Sequence, residues 1–195
     1  MMRTATVDRK TKETEISLKL NLDGGGNSKI DTPLKFLNHM LENFAKHSSF
    51  DLEISARGDV DVDDHHLVED VGIVLGEAFG KALGDKKGIA RMAHRIVPMD
   101  DSKADVSVDL SGRPYAVVDL PFSEFEEKKV GDVTKENVVH FLESFALNGK
   151  FNLNVKVEGK NDHHKVESCF KALAKSLRDA TKITGKEIPS TKGKI

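Results

Sequence analysis

The sequence predicts an α+β fold made by internal duplication: two half-domains of about 95 residues, each a small, mostly antiparallel sheet with two helices on one face. Three observations predict it. First, Asp63-Asp64-His65-His66-Leu67-Val68-Glu69 and Asn161-Asp162-His163-His164-Lys165-Val166-Glu167 both read His-His-x-x-Glu behind an acidic residue, and both open an apolar helical segment. Second, an offset of 101 residues lays His39, Glu42, Phe44 and Phe50 on His140, Glu143, Phe145 and Phe151, and Gly58 on Gly159. Third, strand-like and helix-like periodicities follow the same order in both halves. One repetition excludes a solenoid and favours a pseudo-twofold pair. The second copy is shorter in one place: seven residue steps separate Gly58 from His65, but four separate Gly159 from His163.

In chain order, residues 15–22 alternate Ile16, Leu18, Leu20 and Leu22, which predicts a half-buried strand. Residues 36–47 read as a helix and 50–57 as a strand. A longer helix over 65–83 carries Leu67, Val71, Val74, Leu75, Ala78 and Phe79 on its apolar side. The second half repeats this with strands at 104–110 and 115–120, a helix at 135–147, a strand at 151–158 and a helix at 163–181. Gly24-Gly25-Gly26-Asn27-Ser28 and Ser111-Gly112-Arg113-Pro114 are turn signals, expected to join paired strands.

Composition narrows the function. With 30 basic and 32 acidic residues, no Trp and one Tyr, the chain offers neither a basic stripe nor stacking aromatics for nucleic acid. It has no long apolar run for a membrane and no signal-like leader, and its single Cys excludes an internal disulfide, so a cytoplasmic protein is expected.

The chemistry sits in the repeated motif. On a helix, His65 and Glu69 share a face, whereas His66 lies about 100° round the cylinder. Each motif helix is therefore expected to give His and Glu to one ion and its adjacent His to another. His39 and His140, at matching positions upstream, are the obvious further donors. That divides His39, His65, His66, Glu69, His140, His163, His164 and Glu167 into two sites of three His and one Glu. A single His-x-x-x-Glu pair is an ordinary polar contact; two copies with matching upstream histidines point to metal. Imidazole with carboxylate suits Mn, Fe, Co or Zn better than Ca. The acidic flank Asp59, Asp61, Asp63 and Asp64 reads equally well as a solvated loop or as groups that orient the imidazoles. On these residues alone a metal-dependent hydrolase, or a metal-stapled structural assembly, remains open.

The motifs Asn21-Leu22-Asp23-Gly24, Phe36-Leu37-Asn38-His39-Met40-Leu41, Asp63-Asp64-His65-His66, Leu110-Ser111-Gly112-Arg113-Pro114-Tyr115, Asn161-Asp162-His163-His164 and Pro189-Ser190-Thr191-Lys192-Gly193 occur in order along nearly the whole chain. In this the sequence resembles the imidazoleglycerol-phosphate dehydratases of histidine biosynthesis. The resemblance implies a four-stranded sheet in each half, similar to the ribosomal protein S5 domain 2-like fold. Its half-domains would be residues 1–93 and 94–187, with a C-terminal phosphate loop and tail at 188–195. It also implies two Mn²⁺ per chain on the eight residues above, and a 24-subunit shell with active sites between subunits. The reaction implied is loss of water from imidazole glycerol phosphate to give imidazole acetol phosphate, through an imidazolate-like and then a diazafulvene species.

By the same resemblance Glu13, Arg91, Arg113, Ser190, Thr191 and Lys192 contact substrate, with Asn43, His47 and Lys171 at further substrate positions. Glu13 is the expected base, with Glu69 and Glu167 as competitors. Two departures stand out. Asn38 replaces the usual Asp before His39, where an amide can still accept from that imidazole but carries no charge, so a slightly weaker ligand or a different partner for His39 is expected, and Pro33 stands where Gly is common.

Overall fold

A computed structural model describes residues 3–123 and 127–195. Its elements run β1 (Thr4–Lys10), β2 (Thr14–Asn21), β3 (Ser28–Asp31), α1 (Lys35–Ser48), β4 (Asp51–Gly58) and α2 (His65–Leu83). The order then repeats as β5 (Met92–Met99), β6 (Ser102–Asp109), β7 (Tyr115–Asp119), α3 (Lys135–Gly149), β10 (Asn152–Glu158) and α4 (Asp162–Ala180). A small hairpin, β8 (Lys129–Val130) with β9 (Val133–Thr134), interrupts the second copy before α3.

The two main sheets have equivalent strand orders, β1-β2-β4-β3 and β5-β6-β10-β7. Each is antiparallel except at one edge, where β3 runs parallel to β4 and β7 parallel to β10. The glycine-rich turns therefore do not join paired strands, as the sequence led us to expect. The Asp51 carboxylate of β4 accepts from the Gly25 and Asn27 amides, so the chain is drawn across the end of β4 and β3 emerges on its far side. The helix that follows returns the chain to β4, completing a βαβ unit in each half.

Alternation decides which face each sheet buries. Ile16, Leu18 and Leu20 of β2, Leu52 and Ile54 of β4, Val106 and Val108 of β6, and Leu153 and Val155 of β10 point inward and are buried. The helices cover these inner faces and meet across the molecule, α2 packing on α3 and α1 on α4. The repeat-equivalent pairs Phe44 with Phe145 and Phe50 with Phe151 cluster at this junction, where Phe50, Phe145 and Phe151 also meet Phe79; all the ring pairs are edge-to-face except the tilted Phe50–Phe79 pair, with centroids 5.1–6.4 Å apart.

The close approach of α2 to α3 needs two glycines. A Cβ on Gly72 or Gly76 would stand 2.8 Å from the Phe141 carbonyl or 2.7 Å from the Phe145 carbonyl, and neither backbone can yield. Gly76→Ala is expected to lower stability by about 1–3 kcal/mol, the usual cost of overpacking. Chemical denaturation of the metal-free protein reads this directly, and an unchanged midpoint would show that the helices can part without cost.

The halves also cap each other's helices. Leu34, before α1, has no capping side chain; Asp132, from the β8–β9 hairpin, accepts from the Lys35 and Phe36 amides at 2.5 and 2.9 Å. In return Asp64, before α2, accepts from the Thr134 amide at 2.7 Å, at the start of α3. An oxygen acceptor at a helix N-terminus satisfies donors that the helix itself leaves free. Both contacts hold histidine-bearing helices in place.

Candidate metal centres and phosphate loop

The eight sequence-derived ligands separate in space much as helical geometry requires. His39 on α1 meets His163 and Glu167 on α4, with Glu167 Oε2 3.5 Å from His39 Nε2 and 3.2 Å from His163 Nε2. One ligand atom from each residue lies within 4.8 Å of the others, a grouping that can hold a metal ion. Two exposed imidazoles thus stand over a buried carboxylate. Burial tends to raise the Glu167 pKa, but the Lys171 ammonium at 2.7 Å, with His39 and His163, keeps it below the usual value.

The second group is the pseudo-twofold counterpart. His65 and Glu69 on α2 lie with Nε2 and Oε2 3.7 Å apart, and the His140 ring on α3 stands edge-on to His65 at 5.2 Å. Glu69 is far more open than Glu167, its side chain 39% exposed against 9%.

His66 and His164 turn away from both triads. His66 Nδ1 faces the Asp59 carboxylate at 3.1 Å, and His164 Nδ1 faces Asp101 at 2.6 Å. Each carboxylate raises the pKa of its histidine, and Asp101 is itself held well below the ordinary carboxylate range. The acidic flank thus divides by residue. Asp59 orients His66; Asp63 accepts from the His65 amide at 2.8 Å; Asp64 is buried and bonded to α3. For Asp64, burial raises the pKa, but donation from Thr134, Asn137 and Lys129 outweighs it and holds the value at about 2.

The two histidines have different partners because the residue after the repeat glycine differs. Asp59 follows Gly58, whereas Lys160 follows Gly159. In the second half the β5–β6 turn supplies Asp101 instead, which also accepts from the Lys160 and Asn161 amides. The matching β1–β2 turn carries Glu13. Its carbonyl accepts from the Asp59 amide at 3.2 Å, and its charge contributes to the raised pKa of His66. Thr14, next along, donates to Asp70 of α2 and fixes this turn against the helix of His65 and Glu69.

Asn38 does not contact His39. Its side chain accepts from the Thr32 hydroxyl at 2.7 Å and donates to the Thr32 carbonyl at 3.1 Å, because it faces back along the chain towards the loop before α1. Asn43, one turn on, is the amide beside the His39 ring, its Nδ2 3.4 Å from Nε2. His47, a further turn along, has its pKa lowered by burial and then by the Lys171 and Lys175 charges.

The C-terminal segment folds back onto the junction between the halves. Gly88 bonds to Glu187, Thr184 and Gly185, Ala90 donates to the Lys182 carbonyl, and Ile89 bridges Ile183. Arg91 Nη1 donates to the Pro189 carbonyl at 2.8 Å, just before Ser190, while Asp109 holds the rest of the guanidinium at 2.7 and 3.1 Å. Arg91 also has φ 73°, a left-handed backbone conformation. Ser190, Thr191 and Lys192 form a turn closed by the Gly193 amide on the Ser190 carbonyl, with the Lys192 amide on Ser190 Oγ. Arg113 is exposed, and its guanidinium has no partner among the described residues. The sequence reading had missed Asp101, Asp109 and Asn137; only the paired-acidic turn Asp100-Asp101, matched to the turn of Glu13, could have signalled one of them.

Fold and site together define a duplicated α+β protein with a His/Glu group that can hold a metal ion between its helices. Comparison makes the assignment specific. The family model of imidazoleglycerol-phosphate dehydratase matches residues 32–177. The chain is 54% identical to the imidazoleglycerol-phosphate dehydratase of Methanothermobacter thermautotrophicus, over all of this chain and 98% of that protein. It is 50% identical to that of Caldicellulosiruptor bescii, over 98% and 97%. The crystal structure of the Pyrococcus furiosus enzyme matches with a TM-score of 0.83 and 37% identity over 97% of this chain and all of the other. That of the Staphylococcus aureus enzyme matches with 0.83 and 35% over 93% and 99%. The chain belongs to the imidazoleglycerol-phosphate dehydratase family, metal-dependent hydro-lyases of histidine biosynthesis acting on a small phosphate substrate.

Proposed function

We propose that the chain removes water from imidazole glycerol phosphate to give imidazole acetol phosphate at sites that hold two Mn²⁺ per chain. The observation that carries this is the His39–His163–Glu167 group, whose ligand atoms lie within 4.8 Å of one another, together with its counterpart set His65, Glu69 and His140 on the matched helices and two further histidines facing Asp59 and Asp101. Donors of this kind fit a borderline divalent cation and leave positions for an azole. His39, His163 and Glu167, and their counterparts His65, His140 and Glu69, would hold the cations, which would supply Lewis acidity to the substrate's ring nitrogens and so favour departure of the C3 hydroxyl.

The protein's own groups then have separate tasks. Glu13 takes the C2 proton: it projects from the β1–β2 turn beside His66, while its counterpart Asp101 is already committed to His164. Arg113, Ser190, Thr191 and Lys192 hold the phosphate, with Arg91 anchoring their loop through Pro189 as well as lending charge. Asn43, His47 and Lys171 line the approach to the His39 triad. The division proposed is residues 1–93 and 94–187 as half-domains, a boundary that falls two residues inside β5 (Met92–Met99), with 188–195 as phosphate loop and tail.

In this reading His66 and His164 complete triads of neighbouring subunits in a 24-subunit shell. That their rings face Asp59 and Asp101 supports it, as do the exposed Met92, Ile96, Tyr115 and Val117 on the outer face of the second sheet. No helix among the described residues is long and apolar enough to cross a membrane, and we place the enzyme in the cytoplasm.

The test is turnover by metal-stripped protein before and after Mn²⁺ is restored, with the product followed directly. Imidazole acetol phosphate formed only after reconstitution supports the reading; release of inorganic phosphate instead would move the activity to hydrolysis. Stripping the metal is also expected to reduce the mass in solution, measured by sedimentation. A stripped protein of unchanged mass would remove metal from the assembly.

A further inference from the structure

We propose that Asp64 and Asn137 preset His65 as an Nε2 ligand, and thereby make the His65–His140–Glu69 triad the first of the two half-sites to take up metal. The inference rests on the metal reading above and adds an order of loading to it.

Asp64 and Asn137 are 1% and 3% exposed, an unusual depth for a carboxylate and an amide unless each is fully bonded. Asp64 is ringed by donors: the Thr134 amide at 2.7 Å, the Thr134 hydroxyl at 2.6 Å, Asn137 Nδ2 at 2.9 Å and the Lys129 ammonium at 3.0 Å. It only accepts, so the Asn137 group facing it is the NH₂. That fixes the other end of the amide, whose carbonyl oxygen lies 3.0 Å from His65 Nδ1. A carbonyl cannot donate, so the proton of neutral His65 sits on Nδ1. The lone pair is left on Nε2, the atom that faces Glu69. An isolated imidazole must move its proton before Nε2 can ligate; His65 does not.

The twin half-site has its three ligand atoms already within 4.8 Å of one another, which the His65 set does not, but it lacks this presetting of the ligand nitrogen. The residue 101 positions before Asn137 is Phe36, which packs edge-on to the His163 ring at 5.2 Å. His163 Nδ1 has no hydrogen-bond partner among the described residues. Glu167 is moreover held by Lys171 at 2.7 Å, so a cation must compete with an ammonium there, whereas Glu69 has no cationic Lys or Arg partner among the described residues. One replacement between the two copies, an amide against a phenyl ring, thus makes two symmetric ligand sets unequal.

Two readouts other than turnover test this. Nitrogen-15 NMR of histidine-labelled, metal-free protein at about pH 8 should show His65 as the Nδ1–H tautomer, its signals assigned by their loss in His65→Gln. Calorimetric titration with Mn²⁺ should show two steps, and Asn137→Leu should weaken the tighter one by about 10–100-fold while sparing the other. A wild-type His65 carrying its proton on Nε2 overturns the proposal, as does a wild-type isotherm with one step or an Asn137→Leu variant that weakens both steps equally. If the variant does not fold, the wild-type spectrum and isotherm still decide. A protein that binds no Mn²⁺ at all would instead bring down the metal reading, with the His65 tautomer measured independently.

Discussion

Glu167→Gln is expected to release one Mn²⁺ per chain and to lower turnover by about 10³-fold. The carboxylate is the common acceptor of its cluster, meeting His39, His163 and Lys171 within 3.5 Å. An amide keeps the shape but loses the charge that a cation needs, and a Lewis acid at a reacting centre contributes several kcal/mol, about three factors of ten in rate. The substitution also leaves the Lys171 ammonium, 18% exposed, without its anion. The metal-free variant is therefore expected to unfold at lower temperature than the metal-free wild type. Metal content after gel filtration, kcat and calorimetric Tm separate the effects. Two ions per chain with normal kcat would show that Glu167 serves Lys171 and not a metal. The equivalent change at the open Glu69 is expected to cost an ion with less loss of stability, since no cation is stranded there.

The contrast between these two glutamates shows what a sequence can and cannot reveal. Helical spacing placed each His with its Glu and sent the adjacent His elsewhere, because a helix admits only one answer for residues four apart. The same logic located all four helices to within two residues at either end. Edge strands were harder. β1 buries only Val7, β3 is four residues long, and β5 carries Pro98 and exposes apolar residues, so none shows the alternation that revealed β2 and β4. The strand order was also hidden, because a glycine-rich turn looks alike whether it closes a hairpin or crosses over a neighbour. For Asn38 the sequence left two outcomes open, a weaker hold on His39 or a different partner for it, and adjacency in sequence puts the two side chains on different sides of α1. Asn137 could not be read at all. An asparagine in the first turn of a helix looks like a solvated polar residue, and its contacts to Asp64 and His65 span more than seventy positions. What ties the site together is thus legible where the contact is local and hidden where the two halves meet.

Glu13→Gln tests the remaining role, and its expected signature is the reverse of that for Glu167. Both Mn²⁺ ions are expected to stay, because no sequence or geometric argument gives Glu13 to a metal. The fold should be unaffected: the turn is held by Thr11, by the Glu13 carbonyl on Asp59 and by Thr14 on Asp70, none of which uses the Glu13 carboxylate. Turnover is expected to fall by about 10²–10⁴-fold, the range for removing a general base, while KM changes little. The pseudo-symmetry strengthens the assignment. Of the two matching turns, one ends in a carboxylate committed to His164 and the other in a carboxylate with no partner among the described residues. A group that only held His66 in place would lose metal when changed; a group that moves a proton would lose rate. A Glu13→Gln enzyme with full kcat would pass the role of base to Glu69, whose open position makes it the next carboxylate to change.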